Sequence, residues 1–291
     1  MKEITILSGK GGTGKTSITA AIASVASNAV FCDNDVDAAD LHLLFKPQIV
    51  EKNTFFSGWS VNIDNEKCNN CQICVGYCRF DAIHYEQEIL KINSFQCEGC
   101  RLCERICPSK AIFSTQNGNN HWYVSSSRFG TLVHAQMGPG EENSGKLVTQ
   151  VRKKAKEIAL GTNADYVIND GPPGIGCAAI SSITGTNLVL LVIEPSKSGL
   201  HDAKRLIELT KSFNIQVFAV INKYDISKEI SALIEHYFVE QNIEVLAKIP
   251  FDKKMVEAMI EGKTIVEYEP DSEISKKIKT IWKKIESINQ N

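Results

Sequence analysis

The chain has 291 residues, enough for one large α/β core with a small additional module. Hydrophobic residues make up 43% and charged residues 23%, and the formal net charge of −2 provides no field that would favour nucleic acid or an acidic membrane surface. The apolar run at the N-terminus is too short for a signal peptide, and no segment approaches the roughly 18 apolar residues of a membrane span. We therefore expect a cytoplasmic protein.

The beginning of the chain has the pattern of a parallel α/β sheet. Residues 3–8 (EITILS) predict a buried strand, residues 17–27 a buried helix, and residues 29–33 (AVFCD) a second strand that ends in an acid. Ligands of such sheets bind at the carboxyl ends of the strands, so we expect the functional site there. Further strands with polar ends are predicted at residues 165–170, 188–195 and 216–225.

Several other segments have a clear periodicity. Residues 121–137 alternate like antiparallel strands, and residues 147–160 and 201–213 predict helices. Residues 272–288 carry a stripe of isoleucines with lysines opposite. This stripe predicts a helix that packs on the sheet, and a membrane-associated helix is the alternative.

The glycine-rich loop after the first strand fits the pattern G-x-x-x-x-G-K-[ST], and it lies between a predicted strand and a predicted helix. Its glycines allow backbone N–H groups to face phosphate oxygens at the start of a helix. Lys15 is expected to reach the β- and γ-phosphates of a nucleotide, and Thr16 to bind Mg²⁺. A glycine turn without a ligand is the alternative. The predicted nucleotide contacts are Gly9, Gly11, Gly12, Thr13, Gly14, Lys15, Thr16 and Ser17.

The segment KGGTGKT resembles the deviant Walker A motif of the MinD, ParA, Mrp and nitrogenase iron protein group. The resemblance implies a mostly parallel α/β sheet of the SIMIBI class of P-loop NTPases, with ATP and Mg²⁺ as ligands and slow ATP hydrolysis in the absence of a partner. It also implies that Lys10 reaches across a homodimer to the partner's nucleotide, so that dimerisation depends on ATP. The alternative is that Lys10 is a solvated loop lysine.

Acidic residues at two strand ends match the switch regions of that family. After the second strand, Asp33 and Asp37 match the spacing of the iron protein, whereas Asp33 and Asp35 match that of MinD. We favour Asp33 for orienting the attacking water and Asp37 for the Mg²⁺ side. Asp170, in DGPPG, resembles the switch II acid behind Mg²⁺. Capping of the next helix is the alternative for each acid, most of all for Asp35.

The resemblance extends to the side of the site that holds adenine in this family. Asn222, in VINKYD, corresponds to the position that reads the adenine edge, and Pro250 and Asp252, in IPFD, correspond to a second adenine-side segment. An ordinary turn at the end of a strand is the alternative for both segments.

Eight of the ten cysteines form two runs with the spacing C-x₂-C-x₂-C-x₃-C, and the second run follows the first by 29 residues. This duplication resembles bacterial two-cluster ferredoxins, in which the fourth cysteine of each run binds the other cluster. Zinc sites and disulfides are the alternatives, and the third cysteine of each run disfavours zinc. The resemblance implies one 4Fe–4S cluster on Cys68, Cys71, Cys74 and Cys107, and a second on Cys97, Cys100, Cys103 and Cys78.

We expect a small α+β domain of the ferredoxin type at residues 60–120, inserted into an ATPase core formed by residues 1–59 and 121–291. Cys32 is expected in the core, and Cys177 is interpreted as a small buried residue near switch II. The iron protein has a ligand of its dimer-bridging cluster at the position of Cys177. The second ligand position of that cluster corresponds to Glu141, so we expect no bridging cluster here.

These features predict an ATP-dependent redox protein, in which ATP binding and hydrolysis are coupled to electron transfer from two clusters to an unknown redox partner. The first alternative is an iron–sulfur or metal-cofactor carrier ATPase similar to Mrp, which would act on a cofactor-assembly partner. The second alternative is a spatial organiser similar to MinD, in which the clusters sense redox state. The charge balance predicts neither a nucleic acid nor a membrane partner.

Overall fold

The computed structural model describes residues 1–87, 89–138 and 144–288. They form two compact units. The core unit contains the described residues of 1–53, 122–136 and 144–288, and the insert unit contains those of 54–121 together with 137 and 138. The chain therefore leaves the core unit and returns to it between the two predicted switch regions.

Strands and helices alternate along most of the core unit, whereas short strands prevail in the insert unit. The strands, in chain order, are β1 (Lys2–Ser8), β2 (Ala29–Asp33), β3 (Gln48–Phe55), β4 (Trp59–Ile63), β5 (Ile83–Glu86), β6 (Ile89–Ile92), β7 (Ile112–Gln116), β8 (Asn120–Ser127), β9 (Gly130–Gln136), β10 (Tyr166–Pro173), β11 (Leu188–Ile193), β12 (Gln216–Asn222) and β13 (Glu244–Ile249). The helices, in chain order, are α1 (Lys15–Ala23), α2 (Leu41–Phe45), α3 (Ile73–Tyr77), α4 (Leu102–Ile106), α5 (Ser144–Gly161), α6 (Cys177–Ile183), α7 (Lys197–Ser212), α8 (Lys228–Glu240), α9 (Lys254–Ile260), α10 (Ile265–Tyr268) and α11 (Glu273–Ile288).

A nine-stranded sheet with the order β13-β12-β11-β1-β10-β2-β9-β8-β3 organises the core unit. All neighbouring pairs from β13 to β9 are parallel. The neighbours β8 and β9 are joined by only two residues, a connection that antiparallel strands permit and parallel strands do not. The predicted mostly parallel α/β sheet is confirmed, and β1, which leads into the glycine loop, lies between two parallel neighbours.

Helices cover both faces of this sheet. Along β1, Ile4 and Ile6 face one hydrophobic cluster while Leu7 faces the other, and β11 alternates in the same way. Helices α1 and α11 contribute to the first cluster, and α7 and α8 contribute to the second. Because both faces are covered, β11 can be apolar at every position, as LVLLVI shows.

The isoleucine stripe of α11 is part of the core. Ile278 and Ile281 are fully buried, and Trp282 packs edge-on against Tyr166 of β10 with 5.0 Å between the ring centroids. The interpretation of this helix as one that packs on the sheet is confirmed. Across the described ranges, no helix is long and apolar enough to cross a membrane.

The insert unit consists of two similar halves. Strand β4 pairs antiparallel with β7, and β5 pairs antiparallel with β6, so each ladder joins the first half to the second. Helix α4 follows α3 by 29 residues, the same offset that separates the two cysteine runs. The backbone repeats as well, because positive φ values occur at matched positions, namely Asn70 and Gly99, Gln72 and Arg101, and Asp81 and Lys110.

Removing a buried side chain from α11 tests the packing of this helix. Ile278→Ala deletes fully buried methyl and methylene groups and leaves a cavity, so we expect a loss of about 2–4 kcal/mol in the free energy of unfolding, measured by urea denaturation. Lys283→Ala changes an exposed position of the same helix and should leave stability within about 0.5 kcal/mol. Equal, small effects of both substitutions would contradict the packing described here.

Candidate functional site

The loop between β1 and α1 requires glycine at several positions. Gly12 and Gly14 have φ values of +78° and +90°, in the left-handed region that favours glycine. A Cβ on Gly14 would lie 2.4 Å from the Asn222 Nδ2 atom, and a Cβ on Gly9 would lie 2.2 Å from the Cβ of Asp202. The chain can follow this path only without side chains at these points, which explains the glycine pattern in the sequence.

A cavity of about 420 Å³ lies beside this loop, entirely within the core unit. Its volume is in the range of small-molecule sites. Four of the predicted residues, Gly9, Asp33, Asp37 and Asp170, are not part of its lining. The predicted residues that do line it are Lys10, Gly11, Gly12, Thr13, Gly14, Lys15, Thr16, Ser17, Asn222, Pro250 and Asp252.

One wall of the cavity is apolar, and sequence reasoning missed it. Its side chains are Phe251, Met255, Val256 and Met259, of which the last three lie on α9. Half-exposed apolar groups that flank a phosphate-binding loop provide a surface on which a flat base can lie. The signal was available in the sequence, since apolar residues recur at helical spacing directly after the predicted IPFD turn.

Lys15 belongs to the polar wall of the cavity. Its Nζ atom is 2.9 Å from Asp170 Oδ2 and 3.8 Å from Asp35 Oδ2, and its side chain is only 6% exposed. Burial by itself would lower the pKa of Lys15, but the carboxylates of Asp170 and Asp35 outweigh it and raise the pKa above its ordinary value. Lys15 is therefore a buried, permanent cation facing the loop.

Two threonine hydroxyls hold the Asp170 carboxylate. Thr16 Oγ1 donates to Oδ2 at 2.7 Å, and Thr19 Oγ1 donates to Oδ1 at 2.6 Å. Sequence reasoning missed Thr19, although it follows Thr16 by three residues and so shares its face of α1. The hydroxyl of Thr16 and the carboxylate of Asp170 are oxygen donors of the kind that Mg²⁺ prefers, so the residues present fit that ion.

The three acids after β2 occupy different environments. Asp33 is fully buried, and its oxygens accept hydrogen bonds from the backbone N–H groups of Asp35, at 3.1 Å, and Leu41, at 3.2 Å. Burial, aided by the negative charge of Asp170, raises the pKa of Asp33 well above its ordinary value. Asp37 is exposed. Of these three acids, only Asp35 lines the cavity. The role of Asp33 in orienting water and that of Asp37 on the Mg²⁺ side therefore stay predictions.

Lys10 contacts its own chain. Its Nζ atom lies 2.5 Å from Glu194 Oε1 and donates to Ser196 Oγ at 3.1 Å. Lys223 approaches the other carboxylate oxygen of Glu194 at 3.3 Å. Partial burial would raise the pKa of Glu194, but the hydrogen bonds from the two lysines lower it below its ordinary value. Lys10 is thus paired rather than freely solvated, and Glu194 is a further residue that sequence reasoning missed.

The end of β12 is hydrogen-bonded directly to the glycine loop between β1 and α1. Asn222 Nδ2 donates to the carbonyl oxygen of Thr13 at 2.7 Å, and Lys223 Nζ donates to that of Gly12 at 2.7 Å. Asp225 accepts a hydrogen bond from the backbone N–H of Phe251 at 2.7 Å, which joins this segment to the apolar wall. The two segments that were predicted to lie on the adenine side, VINKYD and IPFD, therefore meet at one edge of the cavity.

The cysteines of the insert unit line two separate small cavities. None of the ten cysteines, all of which lie in the described ranges, forms a disulfide bond. Each cavity is lined by three cysteines of one run and the fourth cysteine of the other. Cysteine set A consists of Cys68, Cys71, Cys74 and Cys107, and cysteine set B consists of Cys78, Cys97, Cys100 and Cys103.

Each cysteine set offers the donors that an iron–sulfur cluster requires. In the part of the chain that the structure describes, no group of three or more His, Cys, Asp or Glu side chains converges as a single metal ion requires. A 4Fe–4S cluster presents a separate iron corner to each ligand, so its four cysteines surround a space instead of meeting at a point. Four thiols around each cavity are a donor set of the right chemistry and number for such a cluster.

The two cysteines outside the insert unit have contrasting surroundings. Cys32 is buried in β2, as expected. Cys177 is exposed, so its interpretation as a buried residue is wrong. The reason is helical geometry, since α6 buries its residues 178, 179, 182 and 183 and thereby turns position 177 outward. Glu141, the other position of the comparison with the iron protein, lies outside the described residues.

A glycine loop between a parallel strand and a helix, with a buried lysine and an acid at the next strand end, defines a P-loop nucleotide-binding protein. The chain belongs to the CobQ/CobB/MinD/ParA nucleotide binding domain family, whose profile matches residues 4–265. An uncharacterized protein of Methanocaldococcus jannaschii is similar over nearly the full length of both chains, with 33% identity over 288 residues, 97% of this chain and 96% of that protein.

Two further similarities concern proteins of named function. The structure of the septum site-determining protein MinD from Pyrococcus horikoshii, complexed with Mg-ADP, superposes with a TM-score of 0.58 and 20% identity over 99% of this chain and 97% of that one, which shows a shared fold. An iron-sulfur cluster carrier protein of Aquifex aeolicus is 26% identical over 140 residues. That alignment spans 43% of this chain and 38% of the carrier, less than half of either.

The environment of Asp35 predicts a pH dependence of stability. Burial raises the pKa of Asp35 from 3.8 to about 6, so above pH 6 its charge destabilises the folded chain, and this cost disappears as the pH falls toward 4. We expect Asp35→Asn to stabilise the nucleotide-free protein by about 1–2 kcal/mol at pH 7.5, a figure that allows for partial solvation, and to lose this advantage near pH 4.

Urea unfolding between pH 4 and 7.5, followed by circular dichroism, measures this difference. Asp271→Asn removes the same charge from an exposed turn and is the matched control. A stabilisation by Asp35→Asn that is the same at every pH would show that the charge of Asp35 carries no such cost.

Proposed function

We propose that this chain binds and hydrolyses ATP and that it couples the hydrolysis to electron transfer through two 4Fe–4S clusters. A redox partner protein would accept the electrons. The observation that carries the proposal is the pair of cavities in the insert unit, each lined by three cysteines of one run and the fourth of the other. The same chain contains a nucleotide binding domain, so nucleotide and redox chemistry share one polypeptide.

The core unit supplies each function that ATP binding needs. The loop offers backbone N–H groups to the phosphates, and Lys15 adds a buried positive charge. Thr16 and Asp170 would hold Mg²⁺, which neutralises phosphate charge when it is bound. The apolar wall that includes Phe251 and Met259 suits the adenine base.

Hydrolysis requires an acceptor for a proton of the attacking water. The water oxygen forms a bond to the γ-phosphorus while the bond between that phosphorus and the β–γ bridging oxygen breaks, which gives ADP and phosphate. Asp35 lies on the cavity wall, and its pKa of about 6 suits a group that accepts a proton near neutral pH and returns it to solvent. We therefore propose Asp35 for this role in place of Asp33, whose oxygens are engaged by backbone N–H groups.

The insert unit supplies cysteine ligands and a small apolar core beside them. A 4Fe–4S cluster, when bound, exchanges single electrons at low potential. The side chains of Val61, Ile83, Leu90 and Ile112 form this core together with Cys74, and other cysteines of both sets pack against it. Four cysteines for each cluster favour permanent retention, as a redox role requires.

A carrier of iron–sulfur clusters is the second candidate function. It is favoured by the similarity to an iron-sulfur cluster carrier protein, although this covers less than half of either chain. The two functions differ in the fate of the cluster. A carrier releases its cluster to an apo-protein on a time scale of minutes, whereas an electron-transfer protein retains its iron through repeated oxidation and reduction.

Anaerobic purification tests the main proposal. We expect about eight iron atoms and eight sulfides per chain, and an electron paramagnetic resonance (EPR) spectrum of the reduced protein that changes on addition of Mg-ATP. Lys15→Ala removes the cation of the phosphate site and should abolish the response to nucleotide while the iron content stays the same. Absence of iron, or a spectrum and midpoint potentials that are indifferent to Mg-ATP, would rule out the coupling.

The position of Lys10 gives a test of dimerisation. In the described chain Lys10 pairs with Glu194, and we propose that it exchanges this partner for the nucleotide of a second copy when ATP is bound. Lys10→Ala should abolish Mg-ATP-dependent dimerisation in light-scattering measurements while ATP binding is retained. Lys228→Ala removes the same charge from an exposed position and should dimerise normally. A Lys10→Ala protein that still dimerises with ATP would exclude the role in trans.

A further inference from the structure

The two halves of the insert unit differ in the contacts that they make to the fourth cysteine. Ser109 Oγ lies 3.5 Å from Cys107 Sγ, and the backbone N–H of Ala111 donates to the same sulfur at 3.3 Å. The residue at the position of Ser109 in the first half, 29 residues earlier, is Phe80, which has no hydroxyl group. Within the described ranges, the Cys78 sulfur has no corresponding hydrogen bond. The duplication is therefore broken at both polar contacts to the fourth cysteine.

The direction of the bond from Ser109 follows from the chemistry of a cluster ligand. A free thiol can donate or accept, but a thiolate that binds iron can only accept. With a cluster on cysteine set A, the hydroxyl of Ser109 must donate to the Cys107 sulfur. Cys107 then accepts two hydrogen bonds, one from a side chain and one from the backbone.

The net charges of the two cavity linings do not differ. In the described residues that line the cavity of cysteine set A, no side chain is charged, and Asn69 lies there. The equivalent position beside cysteine set B is Glu98, and Arg101 lines the same cavity, so the two charges cancel. The hydrogen bonds to Cys107 are therefore the difference between the two sites that bears on reduction.

These hydrogen bonds bear on the reduction potential. Reduction adds one negative charge to a cluster, and hydrogen bonds to the ligand sulfurs stabilise that charge. The two contacts to the Cys107 sulfur therefore favour the extra electron at cysteine set A over set B.

We propose that Ser109 makes the two cluster sites unequal, so that the site of cysteine set A has the higher reduction potential and an electron that enters the insert unit resides there. This rests on the proposed function, because it requires that both cysteine sets bind clusters. Ser109 acts as a positioning and tuning residue through Cys107. Its consequence is a fixed direction for electrons within the unit, from set B to set A.

A redox titration of the anaerobic protein, followed by EPR with dithionite as the reductant, tests this inference. The wild-type protein should show two resolved one-electron midpoints. Ser109→Ala should lower only the higher midpoint, and we expect about a tenfold loss in the ratio of reduced to oxidised cluster at fixed potential, which corresponds to about 59 mV. Ser109→Thr keeps the hydroxyl and should retain the higher midpoint.

A reciprocal substitution keeps the inference testable even if Ser109→Ala impairs folding. Phe80→Ser introduces a hydroxyl at the equivalent position beside Cys78 and should raise only the lower midpoint. Ser60→Ala removes an exposed hydroxyl from β4 and is the control that should leave both midpoints unchanged. Equal midpoints in the wild type, or a higher midpoint that Ser109→Ala does not lower, would overturn the inference. A protein that binds no iron at all would instead refute the proposed function.

Discussion

The buried contact between Lys15 and Asp170 is the interaction on which the site of the core unit depends. It joins the first turn of α1 to β10, and the hydroxyls of Thr16 and Thr19 hold the carboxylate from two sides. A buried charge that loses its partner costs on the order of 3–5 kcal/mol, so loop, helix and strand are held in one arrangement. A phosphate that attracts Lys15 competes with Asp170 for the same cation. Asp170, the first residue of DGPPG, is therefore the point at which a bound nucleotide would change the contacts of the protein.

In the insert unit the corresponding constraint is that neither half is complete alone. Both antiparallel ladders join one half to the other, and each cavity takes its fourth cysteine from the opposite run. The halves must therefore fold together for either cysteine set to form. This mutual dependence maintains similar backbones on both sides, while single positions such as Ser109 and Phe80 remain free to differ. A symmetric scaffold can in this way hold two sites with unequal properties.

Much of the core unit could be predicted from the sequence because strand and loop signals are local. The strand over residues 29–33 has the predicted bounds, and the glycine loop has the predicted context. The assignment of the acids was harder. Asp33, Asp35 and Asp37 all follow β2, and the sequence does not reveal which carboxylate is used by backbone N–H groups and which faces the cavity. Cys177 was misjudged for the same reason, because its exposure depends on which face of α6 is buried.

The sequence by itself determined the phosphate loop, the alternation of strands and helices around it, and the two cysteine runs, because each depends on residues that are near one another in the chain. Only the tertiary structure decided which distant groups meet. The pairing of Lys10 with Glu194, the hydroxyl of Thr19 on Asp170, and the apolar wall that includes Met259 all join segments far apart in sequence. Burial and charge at such contacts are set by packing across the whole sheet, and no local pattern encodes them.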